Sequence, residues 1–241
     1  MTSVHMTSAH MTSVHMTSAH MTSTGVQPSE PDVVRFDRVS RVVHWTTASL
    51  FGVLMLTGAA LYAGPISTIV GQRDVMRTIH VIAGIVLPLP LIIGVLGRYG
   101  ARLRDNISRL NRWTSADRAW IRKRNRAAVR LGKFNPGQKL NSMFFGAAIV
   151  VMLGSGIMLK WFSIVPLDWR VGATFVHDWF ALAIWLSVGA HVLFALRDPV
   201  AMRGMRHGTV TARWARTERP RWYEDEVGVS PDRLDQSHPV P

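Results

Sequence analysis

Val171-Gly-Ala-Thr-Phe-Val-His177-Asp178-Trp-Phe-Ala-Leu-Ala-Ile-Trp-Leu-Ser-Val-Gly-Ala-His191-Val-Leu-Phe-Ala-Leu196 carries one formal charge, Asp178, along its whole length. A helix rising ~1.5 Å per residue crosses a ~30 Å hydrocarbon core in about 20 residues, so this run is long enough to span a bilayer. It also carries two histidines fourteen residues apart. That spacing puts His177 and His191 about 21 Å apart along a helix axis and within roughly 40° of one face. Neutral imidazole is a poor guest in lipid unless something engages it. The run therefore asks which other histidines can meet these two.

Three further runs have the same character. Val42 to Gln72 contains no Asp, Glu, Lys or Arg, and neither Arg77–Arg98 nor Lys139–Lys160 encloses a charge. Hydrophobic residues make up 48% of the 241-residue chain and charged residues 18%. The segregation of the charges, more than their number, marks an all-α membrane protein with a four-helix transmembrane bundle. Strands are not expected in the spans, because period-two alternation is absent and an open sheet edge is not tolerated in lipid. The expected helices are Val42–Ala63, Met76–Gly97 with kinks at Pro88 and Pro90, Leu140–Phe162, and Val171–Leu196. Gly64-Pro65 is expected to end the first, and Arg197-Asp-Pro199 the last. Trp161 and Trp169 suit a membrane interface.

The net charge of +13 does not point to nucleic acid, because the basic residues sit between and after the spans. With the N-terminus inside, the inner segments hold 24 Lys and Arg and the outer loops 4 (Arg73, Arg77, Lys160 and Arg170). By the positive-inside rule both termini are cytoplasmic, and the basic face meets anionic lipid. The chain has no cysteine, so any iron–sulfur cluster belongs to a partner.

Topology assigns depth to the histidines. His44 opens the first span at the inner face, His80 opens the second at the outer face, His177 lies near the outer end of the fourth, and His191 near its inner end. They sort into an inner pair, His44 with His191, and an outer pair, His80 with His177. Two imidazoles from different helices are what axial ligation on both sides of a haem iron needs. Gly84, Gly94, Gly154, Gly156 and Gly189 let a flat macrocycle approach, and equally let helices pack. A histidine near a helix end is by itself an ordinary interface residue; four at paired depths on three helices are not so explained. Asp178 is either solvated or the orienting acceptor of its neighbour His177. His207 and His238 read as surface residues.

Residues 1–32 read as a disordered histidine-containing repeat and linker. MTSVH-MTSAH recurs through residue 20 without the apolar core of a signal peptide. His5, His10, His15 and His20 offer a weak metal site as the alternative. The folded domain is expected over 33–223, with a long basic cytoplasmic loop at 98–140. In that loop Ser115–Leu131 is expected to form a surface helix with Trp120 facing lipid. Asn135-Pro136 reads as an N-cap followed by proline at the first helical position. Residues 224–241 read as a disordered tail.

Several segments together resemble the cytochrome b (gamma) subunit of membrane-bound formate dehydrogenases. They are Arg41-Val-Val-His44-Trp45, Ile79-His80 with Gly84, Gly132-Lys-Phe-Asn135-Pro-Gly137-Gln138-Lys139, the fourteen-residue His177–His191 spacing, Arg213-Trp-Ala-Arg216 and Arg219-Pro-Arg-Trp-Tyr223. The resemblance covers roughly Val33 to Tyr223; the histidine-rich repeat lies outside the family pattern. It implies a subunit with two haem b groups in the bacterial cytoplasmic (inner) membrane. The outer haem would be held by His80 and His177, the inner by His44 and His191. Electrons would come from an iron–sulfur subunit and a molybdenum or tungsten catalytic subunit, and would go to menaquinone or ubiquinone. The quinone would lie near His191, Asn135, Gly137 and Gln138. Amides of Asn135 and Gln138 can hydrogen-bond a quinone oxygen, and Gly137 permits close backbone approach. By itself the chain holds no site for formate oxidation. The alternatives are a cytochrome b subunit of a hydrogenase or thiosulfate reductase, and a membrane anchor without cofactor.

Overall fold

The computed structural model describes residues 32–63, 71–122 and 129–226. The histidine repeat, the Gly64-Pro65 break and His238 lie outside these residues. A polar cap starts the first long helix earlier than its apolar run begins. The Asp37 carboxylate accepts the Ser40 N–H at 3.3 Å and opens α1 (Arg38–Tyr62) four residues ahead of Val42. The second span is α2 (Arg73–Val86) and α3 (Leu89–Leu96), parted at Leu87-Pro88. Pro88 and Pro90 have no N–H to give to the preceding turn, which is why the helix breaks and restarts where kinks were expected.

The polar connection holds α4 (Ala101–Asn111) and α5 (Ser115–Ile121). Then come α6 (Pro136–Lys160) and α7 (Leu167–Arg197), joined by a tight hairpin and packed closely on each other, as α1 is on α2. The four spans are each long and apolar enough to cross a membrane. Their outward faces stay bare and apolar: Val150, Leu186 and Ile93 are 71%, 68% and 67% exposed. In water such faces would be a liability; in a bilayer they are the lipid contact. Trp161 and Trp169 are exposed at the α6–α7 hairpin, as an interface position requires.

The other end of the bundle is closed by a small polar-and-aromatic clasp. After α7 come α8 (Pro199–His207), β2 (Thr209–Thr211), α9 (Ala212–Glu218) and α10 (Pro220–Glu226). β2 pairs antiparallel with β1 (Asp32–Val34), with Val33 opposite Val210. Such three-residue strands are too short to show as alternation in the sequence. Gly208 has φ +95°, and a Cβ there would lie 2.7 Å from the Phe36 carbonyl oxygen. Only glycine fits the turn that delivers the Gly208 carbonyl to the Arg35 and Phe36 N–H groups, at 2.8 and 3.1 Å.

Val33, Val210, Ala212, Ala215 and Trp222 form the clasp core. Arg35 and Arg219 both sit over the Trp214 ring, at 4.6 and 5.4 Å. Burial, with Arg219 nearby, pushes the Arg35 guanidinium down to about 9. Burial also brings the Lys133 ammonium down to about 8, against rings of Phe36 and Trp222 at 5.6 and 5.9 Å.

Two expectations are corrected here. The segment expected as a Ser115–Leu131 surface helix is helical over Ser115–Ile121, and residues 123–128 lie outside those described. Trp120 is half-buried, its ring 3.9 Å from where a Cβ on Gly137 would lie, instead of facing lipid. The cause is a buried ion pair, Lys139 Nζ to Asp117 Oδ2 at 2.7 Å, which docks α5 onto the first turn of α6. Burial pushes the Asp117 carboxyl up, but hydrogen bonds from Lys139 and from Thr114 N–H and hydroxyl outweigh it, and the group ends below the usual carboxylate range. The domain boundary expected at Tyr223 falls inside α10, where Glu226 pairs with Arg109 at 2.6 Å and Glu224 pairs with Arg130.

Candidate functional site

The four histidines meet in the two pairs expected from their depths. At the hairpin end, His80 of α2 and His177 of α7 face each other with ring centroids 6.3 Å apart. At the clasp end, His44 of α1 and His191 of α7 do so at the same 6.3 Å. Helix direction explains both: α1 ends where α2 begins, and α7 runs back from one pair to the other.

The hairpin-end pair lies in a cavity of about 1090 Å³ between α1, α2, α6 and α7. Its lining is almost wholly apolar apart from the two imidazoles and a few residues at its mouth, among them Arg77, Lys160 and Asp178. Each ring is held by a hydroxyl from a neighbouring helix. Thr57 Oγ1 on α1 lies 2.9 Å from His80 Nδ1, and Ser155 Oγ on α6 lies 2.9 Å from His177 Nδ1. The next residue on each helix is glycine. A Cβ on Gly58 would stand 3.4 Å from His80 Cε1, and one on Gly156 3.6 Å from His177 Cε1.

Asp178, expected to be either solvated or the acceptor for His177, is exposed, and the contact to the ring comes from Ser155. Neither hydroxyl stood out in the sequence. Their signal is the near-repeat Met55-Leu56-Thr57-Gly58 and Met152-Leu153-Gly154-Ser155-Gly156.

The clasp-end pair is built differently. His44 is half-buried, His191 is exposed, and neither ring makes a hydrogen bond among the described residues. Trp45 stands edge-on to His44 at 5.3 Å. The start of α1 is stapled to the end of α8, with Trp45 Nε1 donating to the Met205 carbonyl at 3.2 Å and Arg41 donating to the Arg206 carbonyl at 2.7 Å.

Both pairs fit a haem iron. Two metal–imidazole bonds of ~2.0 Å set the nitrogens ~4 Å apart, and the ring centres lie about one ring radius further back on each side. Centroid separations of 6.3 Å at both ends agree with that demand. The apolar cavity and the glycines beside the hairpin-end rings suit a flat macrocycle, and His80, His177, His44 and His191 are the residues that would hold the groups.

The Asn135–Gln138 turn opens α6 as a reciprocal capping box. Asn135 Oδ1 accepts the Gln138 N–H at 2.8 Å, and Gln138 Oε1 accepts the Asn135 N–H at 3.0 Å. This occupies both amide oxygens in holding the helix start and leaves the NH₂ groups as donors. Gly137 is exposed, and Pro136 occupies the first turn. Because α6 starts and α7 ends at the clasp, the turn and His191 lie toward the same end of the bundle. His207 closes α8 as an exposed residue.

Comparison with known proteins adds a family to this geometry. The family model described as prokaryotic cytochrome b561 matches residues 35–208, which include all four histidines and the Asn135 turn. The chain belongs to the prokaryotic cytochrome b561 family. It is thus a multi-pass helical membrane cytochrome. Among its relatives is the formate dehydrogenase cytochrome b556 subunit of Haemophilus influenzae, 29% identical over 81% of this chain and 84% of that one. The formate dehydrogenase cytochrome b556(fdo) subunit of Escherichia coli K12 is 28% identical over 80% and 92%. The nitrate-inducible cytochrome b556(Fdn) subunit of the same strain is 23% identical over 80% and 91%.

Proposed function

We propose that this cytochrome is the membrane-anchoring electron-transfer subunit of a formate dehydrogenase complex. In this reading it takes electrons from an iron–sulfur subunit, itself fed by a molybdenum or tungsten catalytic subunit, and gives them to menaquinone or ubiquinone. Two b haems would supply one-electron carriage. His80 and His177 hold one of them at the outer face, and His44 and His191 hold the other at the inner face. The observation that carries the reading is the pair of histidine couples at equal 6.3 Å separation, one toward each end of the bundle. The names and coverage of the relatives support formate as the electron source.

The excess of Lys and Arg around the clasp supports placing that end, and both termini, in the cytoplasm. Quinone reduction takes up protons as well as electrons. A substrate site at the clasp end has the aqueous inner face beside it. There the amide NH₂ groups of Asn135 and Gln138 donate to a quinone oxygen, Gly137 leaves the backbone open to approach, and His191 lies toward the same end.

A pyridine haemochrome assay and a reduced-minus-oxidised spectrum of the purified chain test the cofactor reading. Two b haems per chain are expected, and less than one ends it. Co-purification from membranes tests the rest. The expected partner oxidises formate and reduces quinone; a hydrogenase or thiosulfate reductase in its place would assign the chain to that complex.

A further inference from the structure

We propose that Thr57 and Ser155 are positioning residues that fix the hairpin-end histidines in the Nδ1–H tautomer and lower the reduction potential of the haem those histidines hold. The inference rests on the two-haem reading above and goes beyond it.

A hydroxyl has one proton to donate. Thr57 Oγ1 lies 2.7 Å from the Val53 carbonyl oxygen and 3.3 Å from that of Leu54. Ser155 Oγ lies 2.8 Å from Val151 O and 3.3 Å from Met152 O. Each hydroxyl thus donates back into its own helix, four residues upstream, in the common mode of a helical Ser or Thr. Its remaining capacity toward the ring, at 2.9 Å in both cases, is as an acceptor. The proton between hydroxyl and imidazole is then the ring's. His80 and His177 each carry it on Nδ1, and Nε2 is left with its lone pair free to bind a metal.

The arrangement occurs twice, on two different helices, each time with glycine following the hydroxyl. Thr57 and Ser155 are both buried, at 7% exposure, so water does not readily substitute for them. The glycine after each hydroxyl lies against the same ring: a Cβ there would make ordinary van der Waals contact with Cε1, at 3.4 Å and 3.6 Å.

A ligating imidazole whose other N–H is hydrogen-bonded is a more basic ligand with a fixed ring plane. A more basic axial ligand favours oxidised over reduced iron, so the potential falls. Neither His44 nor His191 has such a partner among the described residues. The two haems would differ accordingly, with the hairpin-end one held back by its hydroxyls.

The test uses the full-length haem-loaded chain in detergent. Redox titration is followed optically and by low-spin EPR in the parent and in Thr57→Val, Thr57→Ser and Ser155→Ala. In Thr57→Val and Ser155→Ala, one of the two haems should titrate at a higher potential with a shifted EPR signal. The other haem should be unmoved and haem content unchanged. Thr57→Ser, which keeps the hydroxyl, should titrate as the parent. If Thr57→Val loses the hairpin-end haem outright, retention of that haem in Thr57→Ser supports the assignment, and its loss there overturns it. Parent-like titration of fully loaded Thr57→Val and Ser155→Ala also overturns the assignment, as does an equal shift of both haems. A parent chain without any b-type signal sinks the haem reading itself, which separates that failure from this one.

Discussion

At the hairpin end both histidine rings are half-buried and each leans on a buried hydroxyl; at the clasp end His191 is exposed and neither ring has a hydrogen-bonded partner among the described residues. Yet both pairs stand at the same separation, 6.3 Å between ring centres. Axial spacing and ring tethering are therefore separate properties of the bundle. Spacing comes from helix packing, which treats the two ends alike. Tethering comes from individual side chains, which do not. A carrier that only relays electrons gains from a fixed, dry setting. In the proposed reading a group that must meet a diffusing quinone needs access, and the exposure of His191 is consistent with that role.

The largest effect is expected from removing one pair at a time. His80→Ala or His177→Ala should drop haem content from two per chain to one, and so should His44→Ala or His191→Ala. The haem lost should differ in potential between the two sets, which a pyridine haemochrome assay and redox titration on each variant can resolve.

A lesser effect is expected from the ion pair that docks α5 beside the Asn135 turn. Lys139→Met leaves Asp117 buried and unpaired, and removing one partner of such a pair costs about 3–5 kcal/mol. Protease protection at the clasp end should fall and quinone reduction should slow, while the hairpin-end haem keeps its parent potential. A change in that potential would show the two ends to be mechanically coupled.

Gly94→Ala comes next. Its Cβ would fall 2.6 Å from Val43 Cγ2 and 2.8 Å from Leu103 Cδ2, so these side chains must shift. Overpacking of this kind costs about 1–3 kcal/mol. Val43 adjoins His44, so the clasp-end haem signal should broaden or shift and the hairpin-end signal should not, as read by EPR.

The smallest effect is one of pH. Burial holds Lys133 at about 8 in the folded protein, below its ordinary 10.5. The folded state thus binds this proton less well than the unfolded state. The penalty is full below pH 8 and is relieved as pH rises from about 8 toward 10.5. Clasp stability should increase by about 1 kcal/mol between pH 7 and pH 9. Lys133→Met should flatten the trend, as followed by denaturant-dependent proteolysis.

The spans, their order and the histidine pairing were all legible in the sequence. Long uncharged runs need little context to be read, and helical rise converts spacing into depth. The proline break at 87–88 and the Asn135 cap were legible for the same reason: their causes are local. What escaped was fixed by partners distant in sequence. Trp120 turns inward because Asp117 meets Lys139, twenty-two residues on. β1 exists because Val33 meets Val210. Thr57 and Ser155 looked like ordinary small residues until another helix set an imidazole against each of them. Of the two readings of Asp178, the solvated one agrees with its exposure, because neighbours along a helix do not face each other.

The β1–β2 pairing also orders events in time. Asp32 and Thr209, joined by a hydrogen bond, stand 177 residues apart. At a ribosomal pace of about 5–20 residues per second, the first strand waits on the order of ten seconds or more for its partner to be made. Throughout that interval the hairpin end has its helices arriving in sequence, while the clasp end has no seal. The end proposed to meet quinone is therefore the last to close.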